Sequence, residues 1–479
     1  MRHSMLVGGQ STAGRDGDAF DIIEPSTGAV MAAVSQAGLA DVDDALERAQ
    51  TEFEEGAWPR TSATARGRVL ARAAALLRER SESFATMEAR NAGKPIGDAR
   101  SEVEGAAACL EYYAGAANKF FGEVVPVQDP GLDVVLRQPI GVVALIVPWN
   151  FPLLIATWKL APALACGNPV VLKPASYTPL TALMLGELLL EAGLPPGCIS
   201  VIPGPGSSVG NALVSDPRVA KISFTGETTT GISIVKAAAG NLSRVSLELG
   251  GKSACVVFAD ADLERCVEST AMAVFGNAGQ DCCARSRMLV EKSAYDDFVA
   301  AFVRRAERIR VGDPLKDETE MGPLISVGQR DKVGGYVDLG KSEGAELVTG
   351  GGAPPGTKTG ASYLSPTVFA GVENRMRIAQ EEIFGPVAAI IPFEGESEAV
   401  RLANDVQYGL SGSLWTRDLG RALRVSQALR TGALSVNSNH SVHQEAPFGG
   451  FKKSGFGREL GMHAMAAYTE VKNVYFSSQ

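Results

Sequence analysis

Cysteine supplies the most reactive nucleophile of this chain, and two of its seven cysteines stand together in Gly279-Gln280-Asp281-Cys282-Cys283. A cysteine is often only a small buried apolar residue. Here Gly, Gln and Asp give the run the composition of a turn, with little core character. A thiolate in such a place can attack carbon and form covalent intermediates. Zinc is a poor fit, because a structural site wants spaced Cys or His pairs and no CxxC occurs. His3, His440, His443 and His463 are the four histidines. None neighbours Cys282, so a thiol hydrolase or acyltransferase needs a partner that meets it in space. Phosphate-binding patterns are incomplete. Gly204-Pro-Gly206 with Gly210 is one residue longer than the dinucleotide fingerprint, and a simple turn reads as well. In Gly250-Gly-Lys-Ser the first P-loop glycine would fall on Ser246. Gly226 and Gly231 have P-loop spacing with Ile232 in place of lysine. Kinase and ATPase chemistry is disfavoured.

Such residues need a scaffold, and the sequence spells one of alternating strands and helices. Short β-rich runs at 142–147, 169–173, 198–204 and 219–224 are each followed by ten or more helix-compatible residues. This alternation predicts βαβ units and a parallel sheet, the usual platform for nucleotides at strand C-terminal ends. A second series, at 253–258, 285–291, 345–351, 388–393 and 433–437, predicts a second α/β domain. Val69, Leu70, Ala73, Leu76 and Leu77 have helical spacing, and that helix should stop near Asn91-Ala92-Gly93, before Pro95. Phe120 to Pro139, with Asp129-Pro130-Gly131 at its turn, reads as a hairpin. No internal repeat or low-complexity linker is visible.

Composition excludes several classes. The chain has 479 residues, enough for two or three domains, with 45% apolar and 21% charged residues. Disorder is not indicated. Its net charge of −9 comes without any basic run, which argues against nucleic acid or an anionic membrane as partner. Met1 to Gln10 lacks an apolar core of signal-peptide length. The apolar stretch Gly141–Leu172 is interrupted by Pro148, Asn150, Pro152, Lys159 and Asn168, so two buried strands around a core helix fit better than a membrane span. An odd set of unspaced cysteines predicts a reducing, cytoplasmic setting.

Seven motifs follow one another: Pro148-Trp-Asn-Phe-Pro152, Leu172-Lys-Pro-Ala-Ser176, Phe224-Thr-Gly-Glu-Thr-Thr-Thr-Gly231, Leu247-Glu-Leu-Gly-Gly-Lys-Ser253, the Cys282 run, Glu381-Glu-Ile-Phe-Gly-Pro-Val387 and Pro447 to Glu459. In this order and at these intervals the chain resembles the aldehyde dehydrogenase superfamily from about Phe20 to Tyr475. The resemblance implies Cys282 as the nucleophile that attacks an aldehyde. Asn150, with the Cys282 backbone N–H, is implied as oxyanion donor, a role worth about 3–4 kcal/mol. Glu248 is implied as the base that activates water on the thioester; its apolar neighbours would raise its pKa. Relatives that pass the acyl group to coenzyme A typically lack this glutamate. Lys159 and Glu459 match a proton-relay pair. For NAD or NADP, the implied contacts are Ile146, Trp149, Lys173, Ser176, Gly206, Phe224, Gly226, Glu227, Gly231, Leu249, Glu382 and Phe384. Lys173 would hold the adenosine ribose, and Glu382 with Phe384 the nicotinamide ribose and ring. Two positions depart from the family's habit. Ser176 stands where NAD-preferring relatives often carry Glu, which predicts that NADP is tolerated. Glu227, an acid beside a phosphate, stands where Ser is common.

The resemblance also implies an α/β fold with a variant Rossmann cofactor domain (1–119 and 140–251) and an α/β catalytic domain (252–452). A bridging β element (120–139 and 460–479) would pair subunits into a dimer or tetramer. Phe151, Trp158, Val442, Glu445, Phe448 and Asp281 match the border of the substrate tunnel. Carboxylates at its mouth and aromatic walls would suit a cationic aldehyde such as an ω-aminoaldehyde or betaine-like aldehyde. A broad aliphatic or aromatic aldehyde oxidiser, with Asp281 a turn residue, is the alternative. A non-catalytic protein on this fold would be expected to have lost Cys282 or Glu248.

Overall fold

The four β-rich runs form the strands Val142–Ile146, Val170–Lys173, Ile199–Val201 and Val219–Thr225, and a fifth, Arg244–Glu248, follows. The computed structural model describes residues 2–357 and 360–478, so residues 1 and 479 of the expected ranges lie outside it. These five strands pair in parallel, with 142–146 at the centre between 219–225 and 170–173. Antiparallel strands complete the sheet at its edges: Met5–Val7 and Gln10–Thr12 on one side, Gly455–Phe456 on the other. A parallel sheet is covered on both faces, which explains why all five residues of Val142–Ile146 are buried. The helix Pro152–Ala165 is buried on nearly every side. That placement, between two strands, accounts for the apolar stretch at 141–172. Among the described residues no helix is long and apolar enough to cross a membrane.

A seven-stranded sheet holds the second series. Thr367–Ala370 and Ser411–Trp415, absent from the sequence expectation, belong to it. The second is fully buried despite two serines, so its small polar residues mask the strand. Glu346–Thr349 runs antiparallel to Thr367–Ala370 at one edge; the other strands are parallel.

The single helix expected up to Gly93 is two, Ala63–Glu79 and Ser81–Ala92, broken at Arg80 (φ −105°, ψ 15°). Hydrophobic spacing runs on through Arg80 and cannot mark the break. The stop is where it was expected: Gly93 takes φ 79°, a left-handed C-terminal position that suits glycine. The hairpin forms between Glu123–Val125 and Gly131–Pro139, and Thr469–Ser477 pairs along the whole second strand. Val124, Leu132, Val471 and Phe476 leave this small sheet exposed. Residues 460–468 lie elsewhere: Leu460, Ala464, Met465 and Tyr468 pack into the core of the first domain.

Candidate active site

The parallel strands of the first sheet end together. Ile146 pairs with Lys173 on one side and Phe224 on the other, and Thr225 pairs with Glu248. Beyond these ends lies a cavity of about 460 Å³, at the place where open α/β sheets bind ligands. Trp149, Asn150, Gly226, Glu227, Glu248, Leu249, Cys282, Glu382 and Phe384 all line it.

Cys282 sits in a turn shaped from both ends. Upstream, Asn277, Ala278 and Gly279 have φ of 50°, 54° and 72°, a run of left-handed backbone that only tight surroundings sustain. A Cβ on Gly279 would lie 2.1 Å from Gly385 O, so the nucleophile turn rests directly on the Phe384–Pro386 turn. Downstream, Ala284 N–H donates to Asp281 O (3.0 Å) and Cys283 N–H to Asp281 Oδ1 (2.8 Å). This is an Asx turn, and it engages one oxygen of the Asp281 carboxylate with its own backbone. Hydrogen bonding with Cys283, then burial, holds the Cys282 thiol well above its usual range. The same turn brings an Asp281 oxygen and both sulfurs within 4.8 Å of one another.

Asn150 is clamped. Its Nδ2 donates to Gln280 O (3.0 Å), while its own carbonyl accepts from Asn277 Nδ2 (2.9 Å) and Lys94 Nζ (3.0 Å). An amide nitrogen carries two hydrogens; one is fixed on Gln280, which leaves the second for a ligand. Glu248 contrasts with it. The carboxylate is 3% exposed, and neither oxygen has a hydrogen-bond partner among the described residues. Burial, then the charge of Glu459, raises its pKa well above the usual value. Glu459 forms a buried ion pair with Lys159 and accepts from Ser223 Oγ (3.2 Å). Two antiparallel backbone bonds between Phe448 and Glu459, both 2.7 Å, close the C-terminal motif on itself, and its Gly455–Phe456 pairs with Leu247 and Glu248.

Glycines open the nucleotide side. A Cβ on Gly226 would meet the Phe224 ring at 2.6 Å, and one on Gly231 would meet Leu249 at 2.7 Å. Between them the helix Thr228–Ala238 starts without a side-chain cap, so its first N–H groups face an anion site. Glu227 is its exposed N-cap residue, offset in the cavity wall by Lys332 and Lys453. Lys173 is buried, and burial lowers its pKa to about 8. Burial raises Glu382 to about 7, and Gly251 N–H donates to it at 2.9 Å. Phe384 holds φ 57° with its carbonyl bonded by Gln329 and its ring against Trp149, centroids 5.1 Å apart.

The cavity therefore joins a turn-borne thiol, an aimed amide and a buried carboxylate to a helix N-terminus that fits a dinucleotide phosphate. The aldehyde dehydrogenase family model matches residues 12–474. The chain belongs to the aldehyde dehydrogenase family. It is an enzyme, an oxidoreductase acting on the aldehyde group. It is 43% identical to betaine aldehyde dehydrogenase of Bacillus subtilis (strain 168), covering 99% of this chain and 97% of that one. It is 45% identical to human retinaldehyde dehydrogenase 3, covering 96% and 90%. A solved indole-3-acetaldehyde dehydrogenase of P. syringae, in complex with NAD+ and IAA, superposes with a TM-score of 0.97 at 41% identity, covering 99% and 96%.

Set in this family, the remaining expected residues divide. Phe151, Val442, Trp158 and Phe448 pack in one apolar cluster with Cys282, and the Trp158 and Phe448 rings stand 5.5 Å apart. Glu445 is exposed. Ser176 Oγ donates to Gly204 O (3.3 Å), and a Cβ on Gly206 would meet nothing within 4 Å; both stand outside the cavity wall. No histidine lines the cavity among the described residues, so Cys282 has no histidine partner in its wall. Sequence reading missed Gln329, Lys332 and Tyr336. Their spacing of three and four is a helical stripe on Val327–Ser342, which could have marked one polar face directed at a site.

Proposed function

We propose that this enzyme oxidises an aldehyde to the carboxylic acid with NAD+ or NADP+ through a thioester on Cys282. The observation that carries the reading is the common cavity of Cys282, Asn150 and Glu248. Cys282 passes its thiol proton to solvent water, and Sγ bonds the aldehyde carbon while the carbonyl oxygen takes the negative charge. The free N–H of Asn150 and the Cys282 backbone N–H are the donors suited to that oxyanion. The bound nicotinamide supplies the oxidant for the resulting thiohemiacetal. Lys173, Glu382 and Phe384 are the residues suited to hold the cofactor, with phosphate at the start of Thr228–Ala238. Glu248 then takes a proton from water, the oxygen bonds the acyl carbon, and the C–S bond breaks to release acid and restore the thiolate. The Lys159–Glu459 pair gives that proton an onward path. Seven free cysteines support a reducing compartment, the cytoplasm. The exposed apolar bridging sheet supports a homodimer or homotetramer.

The substrate has two readings. Aromatic surfaces at Phe151, Trp158 and Phe448, with the exposed Glu445 three residues before Phe448 in sequence, support an ω-aminoaldehyde or betaine-like aldehyde. The engagement of Asp281 in its own turn favours a broad-specificity aldehyde oxidiser. Reduced-nicotinamide absorbance with aminobutyraldehyde against butyraldehyde tests both. The cationic reading expects kcat/KM to favour aminobutyraldehyde and Glu445→Gln to shrink the preference; a ratio near one supports the broad reading. No cofactor reduction with any aldehyde would overturn the oxidation itself.

A further inference from the structure

Buried charge gathers in a second place, directly behind the Asn150 loop. Lys94 is 1% exposed; its Nζ makes an ion pair with Glu102, donates to Asn150 O at 3.0 Å and stands 4.6 Å from the Phe151 ring centroid. Glu102 also accepts Leu154 N–H (3.1 Å). Glu88 accepts Leu153 N–H (3.2 Å) and Thr181 Oγ1 (2.6 Å). Asp98, on the same helix as Glu102, feels the Lys94 charge as well. Three buried titratable side chains from two helices and their connection thus grip residues 150–154, the active-site loop and the first turn of Pro152–Ala165. Taking charges out of water costs several kcal/mol per ion, roughly, and such pairs are seldom retained for stability alone. A helix start needs no such device, since Pro152 already suits the first turn.

We propose that Lys94 is a positioning residue of the oxyanion site: its ammonium, held by Glu102, pins the Asn150 carbonyl and thereby aims the Asn150 amide at the nucleophile. This rests on Asn150 being the oxyanion donor. Asn277 holds the same carbonyl from the nucleophile turn at 2.9 Å, so Lys94 and Asn277 close a bridge from the buried charge cluster to Cys282. A positional error of about 1 Å in such a group can lower turnover by about 100-fold.

The test is a cycle between Lys94→Met/Glu102→Gln and Asn150→Ala. The paired change removes both charges together, so no unpaired carboxylate remains in the core. Glu102→Gln alone, nearly isosteric, is the second variant and covers a folding failure of the first. Steady-state kcat and KM, burst rate and NAD+ affinity by fluorescence quenching are measured for each. Lowered kcat and burst rate are expected, about 10–100-fold for the paired change and severalfold for Glu102→Gln, with NAD+ affinity within twofold. In the Asn150→Ala background neither change should lower kcat further. Additive losses, or wild-type kcat in folded variants, would overturn the proposal. Wild-type kcat in Asn150→Ala itself would instead remove the reading on which it rests.

Discussion

Asn150 and Glu248 line one cavity in opposite chemical conditions. The asparagine is held at two points: its side-chain nitrogen donates to Gln280 O, and its backbone carbonyl accepts from Lys94 and Asn277. The carboxylate is equally buried but has neither oxygen hydrogen-bonded among the described residues. A donor that stabilises developing charge gains by being fixed beforehand, because it needs no reorganisation when the charge appears. A base must bind and release a proton, and an unpaired carboxylate with a raised pKa keeps both states within reach. The site divides its labour between rigidity on one wall and incomplete satisfaction on the other.

The sharpest way to break this contrast is to remove the sulfur around which the proposed roles of both residues are built. Cys282→Ala should abolish turnover, by at least ~10⁴-fold, with cofactor binding unchanged by fluorescence titration. Near-normal turnover, or an acyl adduct mapped by mass spectrometry to Cys283, would end the assignment. The two walls should then fail differently. Glu248→Gln should cut steady-state turnover by about 10²–10⁴-fold while a first burst of reduced cofactor survives, leaving the enzyme stalled as thioester. Asn150→Ala should cost about 10²–10³-fold in kcat and slow the burst itself. Stopped-flow absorbance distinguishes them, and identical burst behaviour would dissolve the comparison.

Much of this site was legible because its motifs carry their own local chemistry. Glycines at 226 and 231, the helix start between them and the turn-like Cys282 run reappear in the structure where they were sought. What escaped was contact at long range. For Asp281 the sequence leaves a tunnel carboxylate and a turn residue both open; it accepts Cys283 N–H in an Asx turn, and composition cannot say where a side chain points. The charge cluster under Asn150 joins Glu88, Lys94 and Glu102 across two helices; three ordinary polar residues give no signal until folding buries them together. Ser411–Trp415 shows the same limit in the fold, since it is buried while paired on both sides, between Ala254–Val257 and Ala433–Val436, and not because its sequence is apolar.

The unsatisfied wall should also cost stability, in a pH-dependent way. The folded pKa of Glu248 is raised above its unfolded value near 4.5, first by burial. The folded state then binds the extra proton, so its stabilising contribution is full below about pH 4.5 and is lost as pH rises through the folded pKa. Glu248→Gln, which cannot ionise, should therefore gain thermal stability over wild type as pH increases from 5 to 9. The difference in Tm should be smallest at the acid end. Glu88, raised to about 8 by burial, remains in both proteins and cancels in the comparison. A Tm difference that shrank with rising pH would contradict the reading.

The smallest expected effect lies at the far end of the cofactor, beyond both walls. Ser176 is exposed, and its hydroxyl donates to Gly204 O at 3.3 Å. A carboxylate there would accept bonds from the ribose hydroxyls of NAD and repel the extra phosphate of NADP; serine does neither strongly. Lys173, close by on the strand end, keeps a positive charge that welcomes either form. NADP should accordingly be used by the wild type, with kcat/KM within about a thousandfold of that for NAD. Ser176→Glu should shift the ratio toward NAD by about tenfold, because one added charge near a surface costs only about 1–2 kcal/mol against a phosphate. The shift should reside in KM for NADP and leave kcat with NAD unchanged. Glu227 is the N-cap residue of Thr228–Ala238, and its replacement is expected to act alike on both cofactors, which share their pyrophosphate. If Glu227→Ser moved the NADP/NAD ratio more than Ser176→Glu, the ribose-proximal position would have to be reassigned.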